Sequence, residues 1–409
     1  MMVRSALLLT GLVLGLTQAA AQTGRKAADA DTYQQIKQSP LVFYVAHGEP
    51  DACGPGCSEW IAAEGAFDRD AAARFRKFVE RGGNKRLPVF FHSIGGLVTE
   101  AQAIGTLMRE RGMTAAVGKT LPAACQSAAD TAACKAAKKS DAKLKAEWSS
   151  IDAFCNSACV YALAGASSRS VPPGSRLGIH SSKVVCIITQ GGRIINSDAR
   201  SAKCAERAAE ARARLQRYLR RMGIKDQLLE AANEVPHSDV RFLTRDEIAR
   251  FGIDQREFQE SPWTAKLGVS PSIWKVVSQA RGPDRTGHRA AAIHLQCHYA
   301  SRVTISYFRP VASEGPGSSV KVTVTVGERG LRFPRAGAVS RFEFLERGEW
   351  FERLQVSMPL AFIDAAAQAT AIQIEEAAGE TIRSFEVSAA GLHRIWSGVR
   401  SQCAVAARS

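Results

Sequence analysis

From position 41 onward, short apolar runs alternate with stretches whose apolar residues recur at helical spacing. "LVFYVA" (41–46) and "LPVFFHS" (87–93) read as buried strands, and "MTAAVG" (113–118) as a shorter one. "DRDAAARFRKFVERGG" (68–83) and "VTEAQAIGTLMRERG" (98–112) carry the three-to-four residue period of amphipathic helices, and both end on glycine, which suits a helix C-terminus. Strands alternating with helices predict an α/β fold around a mostly parallel sheet. Residues 119–150 break the order with two cysteines, Cys125 and Cys134, and a lysine cluster, "CKAAKKSDAKLKAEW". They predict an inserted excursion tied down by disulfides. The α/β pattern resumes with "FCNSACVYALAGA" (154–166) and "SRLGIHSS" (175–182).

Residues 198–222, "DARSAKCAERAAEARARLQRYLRRM", predict a long helix. Ala208, Ala211, Leu215, Tyr218, Leu219 and Met222 share one face and arginines dominate the other. Residues 261–288 read as a linker. Beyond it, "RVTISYF" (302–308), "SVKVTVTVG" (319–327), "SRFEFLE" (340–346), "FERLQVSM" (351–358) and "ATAIQIEE" (369–376) alternate with period two. Together with a closing strand and helix, they predict a β-rich domain over 289–409.

Composition changes this picture at the N-terminus. Residues 1–21 combine Arg4, an apolar run and small residues near Ala19–Ala21, the pattern of a secretory signal peptide. The run is about 11 residues, short of the roughly 20 that span a bilayer. Residues 22–39 are a polar, alanine-rich leader, and the first folded domain is expected over 40–260. Export predicts a periplasmic or secreted location and an oxidising environment for the ten cysteines. Cys53 with Cys57 closes the turn "CGPGC", Cys297 with Cys403 brackets the β-rich domain, and Cys186 with Cys204 follows from a hairpin-like return. Cys155 and Cys159, placed on one helix, are expected to bond elsewhere rather than to each other. No histidine pair stands at zinc-finger spacing and no C-x-x-C motif occurs, so no metal is expected. The net charge of +15 favours anionic surfaces over neutral ones. Export argues against nucleic acid as a partner and leaves an anionic envelope surface facing helix 198–222.

The candidate chemistry lies in three places. "HSIGG" (92–96) follows a strand and precedes a helix, so Gly95 and Gly96 can bring backbone N–H groups close to an oxyanion. Ser157 opens the next apolar helix, whose first N–H groups, that of Ala158 included, favour negative charge. His180 ends the strand "RLGIH", a fitting place for a general base. Each has a plainer reading: a small residue in a helix contact, a structural histidine, a tight turn.

The stretch from about 41 to 254 resembles the Clp-protease/crotonase-like superfamily, in particular the proteolytic subunit of Clp protease. "HSIGG" looks like that family's S-P-G-G with Ile94 in place of proline, "CNSACVYALAGASSRSVPPGSRLGIHSS" like its nucleophile and histidine segments, and "RFLTRDEIARFGID" (241–254) like its R-F-L-S stretch. The resemblance implies a repeated β-β-α core, followed here by the smaller β-rich C-terminal domain. It also implies a serine peptidase with Ser157 as nucleophile and His180 as base. Gly95, Gly96 and Ala158 would hold the oxyanion, and a peptide or protein would be the substrate. The family's aspartate directly precedes R-F-L-S, where Val240 stands. Asp239 is one position earlier, and His237 and Ser238 are alternatives for the third member. A Ser-Lys dyad drawing a lysine from 119–150, and an excursion that covers the site, are also open. No cofactor is implied: export separates the chain from coenzyme A, the ligand of the crotonase branch, and from any Clp-type ATPase partner. The alternative function is a catalytically inactive binding or scaffold protein of the cell envelope. Like charges along helix 198–222 predict a monomer or small oligomer rather than the stacked rings of Clp protease.

Overall fold

The structure, a computed structural model, describes residues 39–405 apart from 51, 55, 82–85, 126–131, 141, 184–186, 191–192, 197–201, 267–270, 281–287, 299–301, 312–319, 334–337 and 342–349. The signal-peptide reading of 1–21, nearly all of the leader, and Cys186 therefore lie outside the described residues.

The first half is built on strands β1 (Val42–His47), β2 (Glu59–Phe67), β3 (Val89–Gly96), β4 (Thr114–Val117), β5 (Lys119–Pro122), β6 (Leu144–Ser149), β7 (Phe154–Asn156), β8 (Ser168–Ser170) and β9 (Arg176–Ile179). A two-residue strand, Arg241–Phe242, completes a sheet of ten strands among the described residues. Its central members β2, β3, β7 and β9 run parallel, whereas β1 and β2 form an antiparallel pair. Strand β2 escapes simple periodicity because "EWIAAEGAF" is buried on both faces. Ile61 and Ala63 face one core with Phe91, while Trp60 and Ala62 face another with Tyr44 and Phe90.

Helices α1 (Ala71–Glu80), α2 (Val98–Glu110), α4 (Ala158–Gly165) and α5 (Ala202–Arg221) follow their expected places, and a short helix α3 (Ala132–Ala137), not expected from the sequence, lies within the excursion. The apolar face of α5 delivers Leu215, Tyr218 and Leu219 to the core, and its arginines 207, 212, 214 and 217 are exposed. Helices α2 and α4 cross where two glycines meet. A Cβ on Gly165 would stand 2.3 Å from the Gly105 backbone, and one on Gly105 2.0 Å from the Tyr218 hydroxyl. That hydroxyl donates to Tyr161 O of α4. The obstruction at Gly165 is the Gly105 backbone and not a flexible chain end, so Gly165→Ala must push the helices apart. It is expected to cost about 1–3 kcal/mol in denaturant unfolding.

The described strands of the excursion at 119–150 do not lie over Ser157. Strands β5 and β6 extend the far edge of the sheet, in the order β9-β7-β3-β2-β1-β6-β5. They turn back over the Trp60 face, where Trp60 Nε1 donates to Thr120 Oγ1 (3.0 Å) and Trp148 meets Phe90 edge to face. A buried carboxylate pins the segment. Glu64 accepts from the Tyr44 hydroxyl, the Thr120 N–H and, at 2.7 Å, Lys138 Nζ. Burial and the Glu64 charge push the Tyr44 hydroxyl well above the ordinary tyrosine range.

The second half differs from its expected start. Residues 261–288 do not form a plain linker: Thr264–Lys266 and Ser272–Ala280 are strands that, with Phe258–Glu260 just before them, pair within an antiparallel sheet of seven among the described residues. The prolines that suggest a connector, Pro262 and Pro271, sit between strands or at a strand start, where the missing N–H breaks no ladder bond. A four-stranded antiparallel sheet, a helix at Leu360–Gln368 and a final helix at Leu392–Val405 cover one face. The Cys297–Cys403 bond ties the long strand His288–His298 to that final helix. Between the halves, Asp246 pairs with His288 (2.9 Å), Glu147 with Arg394, and Ser149 Oγ with Thr264 Oγ1 (3.4 Å).

Candidate active site

Ser157 occupies the turn between β7 and α4 with φ 55° and ψ −122°. That region is close to glycine-only, and a residue with a Cβ held there costs on the order of 1–3 kcal/mol. The surroundings hold it from several sides. Its N–H donates to Gly178 O of β9 at 2.7 Å, and its carbonyl accepts from Val160 N–H at 3.1 Å. Every residue of α4 is buried. Cys155 and Cys159 are bonded to each other, with Cα atoms 5.2 Å apart. This corrects the expectation that they pair elsewhere. Helical spacing was the wrong ruler, because Cys155 lies in a strand and the Ser157 turn folds the chain back before the helix starts. Cys53–Cys57 and Cys125–Cys134 are also bonded, and Cys204 is disulfide-bonded with a partner outside the described residues.

The glycine pair lies directly against this turn. A Cβ on Gly95 (φ 100°) would stand 2.6 Å from both Asn156 O and Ser157 Cβ and 3.0 Å from Ala158 N. One on Gly96 (φ 137°) would stand 2.4 Å from Phe67 O. Only glycine allows β3 to approach so closely. The Gly95 N–H, however, turns inward and donates to Ser93 Oγ (3.1 Å), which itself donates to Gly65 O. The Ala158 N–H stands in the first turn of α4, where N–H groups lack intrahelical acceptors.

His180 follows β9 and is half-buried. Its Nδ1 lies 2.9 Å from Ser181 O. A carbonyl only accepts, so Nδ1 is the donor, and in the neutral imidazole Nε2 then keeps the lone pair. His237 Nδ1 reaches the same carbonyl at 3.1 Å, and the two rings meet edge to face at 4.9 Å. No hydrogen bond joins Asp239 to His180 among the described residues. Asp239 is exposed, and its N–H closes a turn on Pro236 O. That turn, together with the Ser181 N–H to Val235 O bond, brings His237 rather than Asp239 beside His180. Ser238 is exposed as well. No hydrogen bond joins Ser157 Oγ to His180 among the described residues. Three of the six lysines of the excursion pair elsewhere: Lys138 with Glu64, Lys143 with Glu59 and Lys145 with Glu49.

Two buried polar residues at the site escape sequence reading. Asn156, 2 % exposed, precedes the serine, and its Oδ1 has no hydrogen-bond partner among the described residues. It packs on Gly178, where an added Cβ would stand 2.4 Å from that oxygen. A lone amide in an apolar stretch is its only signal. His92, behind β7, accepts from Phe154 N–H through Nδ1 at 3.3 Å. Burial, reinforced by Lys119, Lys138 and Arg176, pushes its imidazole down to about 3. An unfolded histidine takes its proton near pH 6.5, so stability is full above that pH and is lost as pH falls toward 3. His92→Asn keeps an acceptor for Phe154 and removes the titration. It is expected to shrink the stability lost between pH 7 and pH 4 by on the order of 2–3 kcal/mol, read from urea unfolding at both pH values.

No family model matches the chain, and no curated protein matches it. Among solved structures, the chain is similar to a variant of a membrane-bound stomatin-specific protease, 14 % identical over 46 % of this chain and 70 % of that one, with a TM-score of 0.26. It is also similar to a variant of ClpP1 from Listeria monocytogenes, 14 % identical over 55 % of this chain and 93 % of that one, with a TM-score of 0.29. Superposition this loose says nothing about the reaction.

Proposed function

We propose that the chain is an exported serine hydrolase of the peptidase type, with Ser157 as its nucleophile. One observation carries the reading: a serine held at φ 55° on a strand-to-helix turn, with a glycine strand against it and a disulfide across it. Strain of this kind persists where surrounding structure imposes it, and the turn sets Ser157 directly before the N-terminus of α4. The disulfides are compatible with an oxidising compartment, and the exposed arginines of α5 suit an anionic envelope surface.

In this reading His180 Nε2 takes the Ser157 Oγ proton as Oγ attacks the substrate carbonyl. The Ser181 carbonyl holds the imidazole through Nδ1–H, in the place a carboxylate occupies in the usual triad. The Ala158 N–H stabilises the oxyanion. Collapse of the tetrahedral species passes the proton from Nε2 to the leaving amine and leaves an acyl-Ser157. Water, deprotonated by the same nitrogen, then releases the acid. Ser157 Oγ and Nε2 come into hydrogen-bond contact on substrate binding, since such bonds are often open in the free enzyme.

A second reading, an inactive binding or scaffold protein, draws on the exposed Asp239 and on the missing Ser157–His180 bond. Labelling of the purified chain with a serine-directed fluorophosphonate separates the two. Stoichiometric labelling confined to Ser157 supports the hydrolase, and an unlabelled but folded chain supports the scaffold.

A further inference from the structure

A cavity of about 380 Å³ lies between the two halves of the chain, away from Ser157. One wall is the seven-stranded sheet. There Trp274 and His294 are register partners whose rings stack at 3.9 Å, with Phe308 5.5 Å from the indole. Arg353, the register partner of Phe308, extends this wall, and its Nε is buried without a hydrogen-bond partner among the described residues. The facing wall comes from β5, β6 and the segment leading into β7. It contributes Lys119, Leu121 and Asp152, while Lys266 stands exposed at the rim. Asp152 enters β7 and Ser157 leaves it, so the cavity and the serine lie at opposite ends of that strand.

The lining defines a ligand class. Three cations, Lys119, Lys266 and Arg353, outnumber the single carboxylate of Asp152, which selects an anion. A buried guanidinium nitrogen without a partner costs free energy that a bound acceptor would recover, and the guanidinium fork matches a carboxylate. Asp152 would repel a doubly charged group, which favours a carboxylate over a phosphate. The aromatic wall and Leu121 fit a flat apolar group beside the charge, in a volume typical of small-molecule sites. We propose that this cavity binds a carboxylate borne on a flat apolar group, supplied either by the C-terminal aromatic residue of a peptide or by a free aromatic acid. The assignment does not depend on the chemistry at Ser157.

Calorimetric titration of the full chain carrying Ser157→Ala tests it without turnover. The ligands are N-acetylphenylalanine, its uncharged amide, and acetyl-Gly-Gly-Phe with a free C-terminus. At least one of the two acids is expected to bind, and the amide to bind about tenfold more weakly or worse. Arg353→Gln and, at the exposed rim where folding is not at stake, Lys266→Gln are each expected to weaken the acids several-fold. Trp274→Ala is expected to weaken acid and amide alike. Binding of the peptide acid alone assigns the peptide terminus as source, binding of the free acid alone assigns the small molecule, and equal binding means that the shared group suffices. Equal affinity for acid and amide, failure of both acids at millimolar concentration, or unchanged acid binding in both cation variants would overturn the proposal.

Discussion

Ser157→Ala is expected to abolish fluorophosphonate labelling and to lower any esterase or peptidase turnover by about three orders of magnitude or more. Its unfolding midpoint should stay close to that of the parent chain. Alanine keeps the Cβ and so keeps the backbone cost at φ 55°, while the lost hydroxyl makes no hydrogen bond among the described residues. Ser157→Gly supplies the complementary measurement. It should be equally inactive yet more stable, by on the order of 1 kcal/mol, because glycine adopts this conformation without the Cβ clash. A chain that gains stability by losing its serine is using the serine for something other than folding. Undiminished turnover in Ser157→Ala would remove the hydrolase reading at this site, whatever the stability of either variant.

Replacing Cys155 and Cys159 together by alanine is expected to cost about 2–4 kcal/mol and to lower fluorophosphonate reactivity as well. The comparison that gives this prediction its force is the Cys53–Cys57 pair. Both bonds close loops of the same sequence separation, 4 residues. Loop-closure entropy alone therefore predicts equal losses. Cys155 and Cys159 are fully buried within the core that packs α4, and deleting their sulfurs also leaves voids there. The Cys53 pair sits in a surface turn and leaves none of comparable depth. The Cys155 double variant should thus unfold at distinctly lower denaturant than the Cys53 double variant, and it alone should lose reactivity. Equal stability loss with full reactivity in both would mean that the buried bond has no part in holding the Ser157 turn.

The legible parts of this protein were those where one period governs a whole element. "RFRKFVE" and "RLQRYLRR" announce helices because a single face is buried, and "KVTVTV" announces a strand for the same reason. Strand β2 and the strand at 272–280 were not legible as such. The first is buried on both faces, and the second follows a proline-marked stretch that imitates a connector. At the site, the glycines and Ser157 could be picked out because their residue types are what a close backbone approach and a nucleophile require. The group at His180 Nδ1 could not. It is a backbone carbonyl, which every residue has, and its position follows from how the 235–239 turn docks on Ser181.

By itself the sequence determined those helices and strands that bury a single face, where a serine, a glycine pair and a histidine stand in chain order, and that the cysteines come in an even number. Those are local properties, set by residue type and spacing. Only the tertiary structure decided that Cys155 bonds Cys159, because the φ of Ser157 is imposed by the packing of α4 and by the Gly178 carbonyl rather than by the residue's own preference. It also decided that the described strands of the lysine-rich excursion extend the far edge of the sheet instead of covering the serine, since strand order is fixed by backbone pairing between segments distant in the chain. The cavity between the halves has the same origin: its two walls are separated by more than a hundred positions in sequence and share no local pattern, only a common volume left where two sheets meet.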